Sequence, residues 1–479
     1  MATILVIALA GCASMATSYR APPLPVPDAW PAGTAVPAAA GARADQLPWR
    51  GYFTDPLLQR LIETALDNNR DLRVAALRVE EARAAFRIRR ADQFPDPGVG
   101  AQGARARVPG DLNASGQSMV GGEYRAEVGL SNWELDLWGR VRSLKESALQ
   151  TWLATDAAHQ AVRIALIAQV ADGYLGLREL DERVALAQRT LATREESHRI
   201  FRRRFEVGAA SKLELTQVQA LLTQAQSLHA QLERARASQL HALGQLLGAH
   251  PGPLPASASF DQAMALADLA PGLPSDLLAG RPDIIAAEHR LRAANADIGA
   301  ARAAFFPRIA LTGSLGSASA ELGGLFDSGS RAWTFVPTLS LPIFDGGRRR
   351  ANLDLGEVRR DIAVAEYEQA IQAAFREVAD GLSAQRWLAE QLRFQRTALE
   401  VQTERARLAQ LRYDNGSATY LEVLDAQRDL LDAEQQLVQA RRALRSSQVA
   451  LYAALGGGTA PRTGTSSASA PFSPVEAHR

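Results

Sequence analysis

The chain has almost none of what a covalent or chemical framework needs. Its 479 residues include one cysteine, so no intrachain disulfide forms and no multi-cysteine metal site exists. Aromatic residues are only 6%, too few for the large mixed core of an ordinary globular chain this long. The 53 basic and 52 acidic residues leave a net charge of +1, which removes the electrostatic footprint of a nucleic-acid binder. The arginine clusters at 202–204 and 348–350 are interleaved with acids further along and read as solvated helix faces. No apolar run reaches about 18 residues, so no transmembrane helix is encoded. The Walker, HExxH and Gly-x-Ser-x-Gly patterns are all missing. His159, His198, His229, His241, His250, His289 and His478 are not at ligand spacing from one another. These absences predict no metal, no cofactor and no enzyme.

What is present starts with the lone cysteine. Cys12 follows Leu9-Ala10-Gly11 and the apolar stretch Ile4–Leu9, which together read as a secretory signal over residues 1–11. The tetrad LAGC resembles the bacterial lipobox. That resemblance implies cleavage before Cys12, a covalent lipid on it, and, with Ala13 rather than an aspartate next, sorting to the outer membrane. Residues 12–50 are rich in proline and alanine and read as a lipidated extended linker.

Beyond it the chain is written twice. Residues 204–226 align without a gap on 412–434 at an offset of 208, pairing Arg204 with Arg412, Gly208 with Gly416 and Glu214 with Glu422. Two repeats are predicted: 51–250, with a β-hairpin near 97–137 and long helices over 140–248, and 275–455, with a hairpin near 307–345 and long helices over 348–455. A Pro/Gly-rich crossover at 251–274 joins them, and the tail 456–479 reads as disordered. The helical periodicity near Arg140–Phe205 runs on without proline; roughly 66 residues would span on the order of 100 Å. Such a length points to coiled-coil packing. Gly208 and Gly416 mark the turns where the helices reverse.

The hairpins change period to two. Tyr124, Ala126, Val128 and Leu130 alternate with polar residues, as do Ile309, Leu311 and Leu315, then Trp333, Phe335 and Leu339. Strands of about ten residues with one apolar face are the outer-membrane barrel pattern. A soluble sandwich face is the rival, but two hairpins are too few for one. Four strands are also too few for a closed barrel, so closure needs several copies. Trp333 and Phe335 are candidates for the lipid interface or for packing.

One charged cluster remains, at the turn after Gly416: Leu421, Glu422, Asp425 and Arg428. Glu422 and Asp425 share a helix face near an N-terminus, where the dipole favours carboxylates. They are either a routine first turn or, if copies meet on an axis, an acidic ring selecting cations. The first copy has Gln217 and Ala220 where the second has Asp425 and Arg428.

Long motifs then resemble one family. They are WRGYFTDPLLQRLIETALDNNRDLRVAALRVEEARA (49–84), WELDLWGRVRS (133–143), GLPSDLLAGRPDI (272–284), AARAAFFPRIALTGSLG (300–316), SLPIFDGGRRRANL (340–353) and YLEVLDAQRDLLDAEQQL (420–437). The chain resembles the TolC-like outer-membrane factors, most closely the OprM/NodT-type lipoproteins. The resemblance implies a mainly α chain with a β-barrel part, in which three copies share a twelve-stranded barrel continuous with a periplasmic α-helical barrel. It implies a passive conduit for drugs or other small molecules, docked on a periplasmic adaptor and an inner-membrane RND pump. It places a periplasmic gate at Leu421, Glu422, Asp425 and Arg428, with Tyr413 linked to closure. Ala418 stands where some members carry a closing arginine. A duct for protein secretion has the same fold. A periplasmic adaptor would need lipoyl-like segments beside a single hairpin, and a structural coiled-coil lipoprotein would not need alternating strands.

Overall fold

The computed structural model describes residues 15, 18–30, 42–252, 254, 266, 269, 270, 272 and 274–458. Cys12, the signal, part of the linker, most of the crossover and the tail beyond Gly458 lie outside the described residues. The principal helices are α1 (Pro56–Asn68), α2 (Arg70–Ala91), α3 (Arg140–Glu206), α4 (Lys212–Leu247), α5 (Pro282–Ala303), α6 (Arg348–Asp414) and α7 (Tyr420–Ala454). Four strands, β1 (Gly98–Val108), β2 (Met119–Glu134), β3 (Arg308–Ser319) and β4 (Arg331–Ser340), form one antiparallel sheet in the order β1-β2-β3-β4. The fold is therefore mainly α and duplicated as helix, β-hairpin, long helix, turn, helix. α3 and α6 each run for 67 residues.

The chain divides into two compact units. One gathers Leu77–Ala157 and Ile285–Gln369 with the N-terminal stretch to Pro23, and holds the sheet. Strand pairing places Val99, Tyr124, Val128, Leu315, Trp333 and Phe335 on one face. The other face carries Gln102, Glu123, Arg125, Glu127, Ser314 and Thr334. Alternation in β2 breaks at Asn132, whose φ of 58° belongs to a bulge opposite β3. The extra residue returns Trp133 to the apolar face, in register with Leu311. That face is open: Val99 is 87% exposed, Trp333 72% and Leu339 66%. Among the described residues, β1 and β4 each have a strand on one side only.

The strands are longer than alternation predicts. Met119–Gly122 and Gly316–Ser319, beyond the large alternating side chains, belong to β2 and β3. Glycine has weak strand propensity and reads as a turn, yet its backbone pairs as well as any other: Gly121 faces Ala106 and Gly122 faces Arg105.

Below the sheet, acids start the two long helices alike. Asp136 accepts from the backbone N–H of Val141 (3.0 Å) and Arg142 (2.8 Å). Asp345 does the same for Gly347 and Arg349, both at 3.1 Å. This is helix capping by a carboxylate, and it explains why WELDLWGR and LPIFDGGR stand where they do. Trp138 stacks on Phe306 at 4.8 Å and donates to the Pro307 carbonyl (2.8 Å). The N-terminal stretch is fastened through Tyr19, which donates to Glu288 (3.1 Å) under the Arg292 guanidinium.

The second unit gathers Leu24–Ala76, Ala158–Ile284 and the chain from Ala370 on. Its core includes Tyr52 stacked on Tyr452 at 4.1 Å. Tyr52 donates to the Gln448 carbonyl and Tyr452 to that of Leu47. Asp55 caps α1 through the Leu57 N–H (2.8 Å) and accepts from Tyr174 (2.6 Å). Burial, and then Asp55, push the Tyr174 hydroxyl up to about 12.

Each return helix ends on a latch from the start of its own repeat. Asn69 Nδ2 donates to the Leu246 carbonyl and Arg281 Nη1 to that of Ala454, both at 2.9 Å. Asn69 and Arg281 are 212 apart and the carbonyls 208, so the first repeat is four residues longer between them. Arg281 is also held by Asp283 (2.6 Å) and Glu377 (2.7 Å).

Gly456–Gly458, assigned from composition to the tail, are buried and belong to the body. Gly456 has φ 77°, and a Cβ there would collide with the Gly280 carbonyl. A glycine-rich stretch reads as disorder, but here the missing side chains are what let the chain close against Arg281's turn. Gly456→Ala should cost at least about 1–3 kcal/mol, measured by thermal unfolding in detergent. Gly208→Ala has the same positive φ (74°) in open space, so it should cost less.

Candidate functional site at the helix turns

The two turns reverse the chain with the same hydrogen bonds. After α3, Gly208 stands at φ 74° and Ala209 N–H donates to the Arg204 carbonyl (2.8 Å). After α6, Gly416 stands at 73° and Ser417 N–H donates to the Arg412 carbonyl (2.9 Å). A left-handed glycine closing the last helical carbonyls is the usual stop for a long helix.

The copies then diverge at one carboxylate. Glu214 closes a capping box with Ser211: the Ser211 hydroxyl accepts from Glu214 N–H (3.2 Å), and Glu214 accepts from Ser211 N–H (2.7 Å). The Ser211 N–H, and then the Ser211 hydroxyl donating to the same carboxylate (2.8 Å), hold the Glu214 carboxyl below its ordinary range. In the second copy Thr419 makes no side-chain cap. Glu422, at the Glu214 position, instead pairs with Arg412 (2.8 Å) across the turn.

The charges continue along α7 as a short network. Arg428 reaches Asp425 at 3.3 Å and Asp429 at 3.1 Å. Arg405 on α6 pairs with Asp429 at 2.5 Å. Arg405, then Arg428, hold the Asp429 carboxyl below the usual range. A groove of about 750 Å³ runs beside it, lined by Glu404, Arg405, Arg412, Glu422 and Asp425 over an apolar floor that includes Leu408. Each ion pair is largely solvated and contributes roughly 0–1 kcal/mol. Their value is positional, because they set which way the carboxylates face.

Packing beneath them is aromatic. Tyr420 lies 4.5 Å from Phe201 and 4.9 Å from Tyr413, and its hydroxyl donates to Ser197 (2.9 Å). Tyr413 accepts from Arg204 at 2.5 Å. α3 and α7 thus meet in an antiparallel ladder. Its other rungs are Arg194–Gln427 (2.6 Å), Arg183–Gln435 (2.5 Å) and Asp172 with Arg442 (2.9 Å).

The structure brings Tyr413, Glu422, Asp425 and Arg428 to this one end, with Leu421 beside them 46% exposed. Ala418 lies in the turn itself. Trp333 and Phe335 sit apart, open on the apolar face of the sheet. Sequence reasoning missed Arg405, Arg412, Asp429 and Tyr420. The Ser211–Glu214 box was legible as S-x-x-E, but contacts between α6 and α7 have no local signature.

An amphipathic sheet with open edges, standing in one chain with long hairpin helices, defines a subunit of an outer-membrane channel. The chain belongs to the outer membrane efflux protein family, whose model matches residues 61–249 and 273–457, one stretch in each repeat. It is 45% identical to outer membrane protein OprJ of Pseudomonas aeruginosa over 96% of this chain and 95% of that one. It is 44% identical to the toluene efflux pump outer membrane protein TtgC of Pseudomonas putida over 95% and 94%. Its fold matches the open state of the MtrE outer membrane channel of Neisseria gonorrhoeae with a TM-score of 0.86 and 38% identity, covering 95% of this chain and all of that one. The protein is an outer-membrane component of an efflux system.

Tyr420→Ala removes an aromatic shared by both hairpins and should loosen the tip by about 3 kcal/mol. Tyr420→Phe loses only the Ser197 bond, about 1 kcal/mol. Limited proteolysis at 415–419 should speed up sharply in the first variant and little in the second.

Proposed function

We propose that three copies close into one passive conduit, each giving four strands to a twelve-stranded barrel in the outer membrane and its helices to a periplasmic tube. The observation that carries this reading is the uncovered apolar face of the sheet together with its two free edges. In lipid, unpaired strand edges are prohibitively costly, and closure by further copies removes them. The polar face then lines the passage. Cys12, outside the described residues, carries a lipid that adds a second anchor.

The tip at Gly416 acts as the periplasmic gate. Glu422 and Asp425 from each copy crowd the axis, turned there by Arg412 and Arg428, and oppose anions while the gate is shut. A periplasmic adaptor and an inner-membrane pump supply selection and energy. The cargo is small molecules, apolar ones among them, in keeping with a relative named for toluene efflux. No chemistry is performed on them.

Purified in detergent, the protein should run as a trimer and conduct ions in a planar bilayer; a monomeric, non-conducting sample would end this reading. Glu422→Ala with Asp425→Ala should raise single-channel conductance severalfold and weaken cation preference. Conductance and selectivity equal to the parent's would remove the gate assignment.

A further inference from the structure

The charges on the sheet are sorted by face. On the polar face each arginine has an acid beside it: Arg125 donates to Glu123 (2.6 Å) and Arg308 to Glu134 (2.8 Å). The apolar face carries Arg105, Arg107 and Arg331, and no acid. Strand register fixes their side. Arg105 and Arg107 stand opposite Gly122 and Val120, and Arg331 precedes Trp333 by two residues on one strand. All three are exposed, and among the described residues none pairs with a carboxylate. Arg107 donates only to the Ser118 hydroxyl (3.3 Å).

The three arginines also gather at one end. The helices join the sheet at Gly98, Glu134, Arg308 and Ser340, so the hairpin loops mark its far end. Arg105 and Arg107 lie near the loop end of β1, and Arg331 opens β4 just after a loop. In the conduit reading above, on which this inference rests, that end lies in the outer leaflet. Nearer the helices the same face is apolar, with Tyr124 and Val128 on β2 and Trp333, Phe335 and Leu339 on β4. An arginine at such a border lays its stem on the apolar belt and puts its guanidinium among the head groups. A rim of both signs would suit zwitterionic lipid, whereas a rim of one sign selects anions.

Closure concentrates this charge. β1 and β4 are the edge strands, so Arg331 of one copy reaches the seam where Arg105 and Arg107 of the next copy stand. Cations without an acid then share one outward rim, and a counter-anion relieves their repulsion. We propose that each seam holds a bis-phosphorylated glycolipid of the outer leaflet, lipid A. Its phosphates sit on the guanidinium groups, whose paired N–H donors fit phosphate oxygens. Its acyl chains lie along the Trp333–Phe335 face. A phospholipid offers a single phosphate and leaves part of the charge unmet.

The test uses the whole protein, delipidated in detergent and titrated with lipid A, with bound lipid counted by native mass spectrometry. The parent should bind lipid A more tightly than monophosphoryl lipid A or phosphatidylglycerol, and added salt should weaken the binding. Arg105→Gln, Arg107→Gln and Arg331→Gln should each lower the affinity roughly fivefold. Arg125→Gln, on the opposite face, should bind lipid A as the parent does. Equal affinity for lipid A and phosphatidylglycerol, binding indifferent to salt, or rim variants that bind like the parent would each overturn the lipid A site and leave the conduit standing. If a variant fails to assemble, the lipid preference of the parent decides alone. A parent that is monomeric and non-conducting would overturn both readings.

Discussion

A sheet that is apolar on one face and open at both edges governs the rest of this structure. In water it would aggregate through its edges. In a bilayer its edge N–H and C=O groups have no solvent to bind, so the sheet must close. Four strands cannot close on themselves around a passage. The sheet thus requires neighbours, and the helices that enter and leave it must follow the same lateral order. The capping carboxylates Asp136 and Asp345, and Trp138 against Phe306, make the change from strand to helix abrupt and rigid.

Duplication supplies this wall, and the two copies depart from each other at particular side chains. Glu214 is occupied within its own cap, whereas Glu422 is free of a cap and turned by Arg412. Asn69 and Arg281 serve the same carbonyl position, one as a neutral amide and one as a buried cation held by two acids.

Much of the fold is legible in the sequence. Periods of two and of 3.6 separated hairpins from helices, because side-chain direction in strands and helices is fixed by the backbone. The offset of 208 located both turns, because only glycine adopts the left-handed cap without strain. Legibility failed where backbone pairing overrode composition, in the glycine-rich ends Met119–Gly122 and Gly316–Ser319. It failed again at Gly456–Gly458, where an apparently loose run is packed.

By itself the sequence determined the duplication, the helix and strand content, the membrane mode and the family, since each is written in local periodicity and long contiguous motifs. Only the tertiary structure decided the partners of the charged groups: Arg412 with Glu422, Arg405 with Asp429, Tyr420 with Ser197. Those pairs join residues on different helices, and the rotation and register of packed helices are set by side-chain interdigitation rather than by any local pattern.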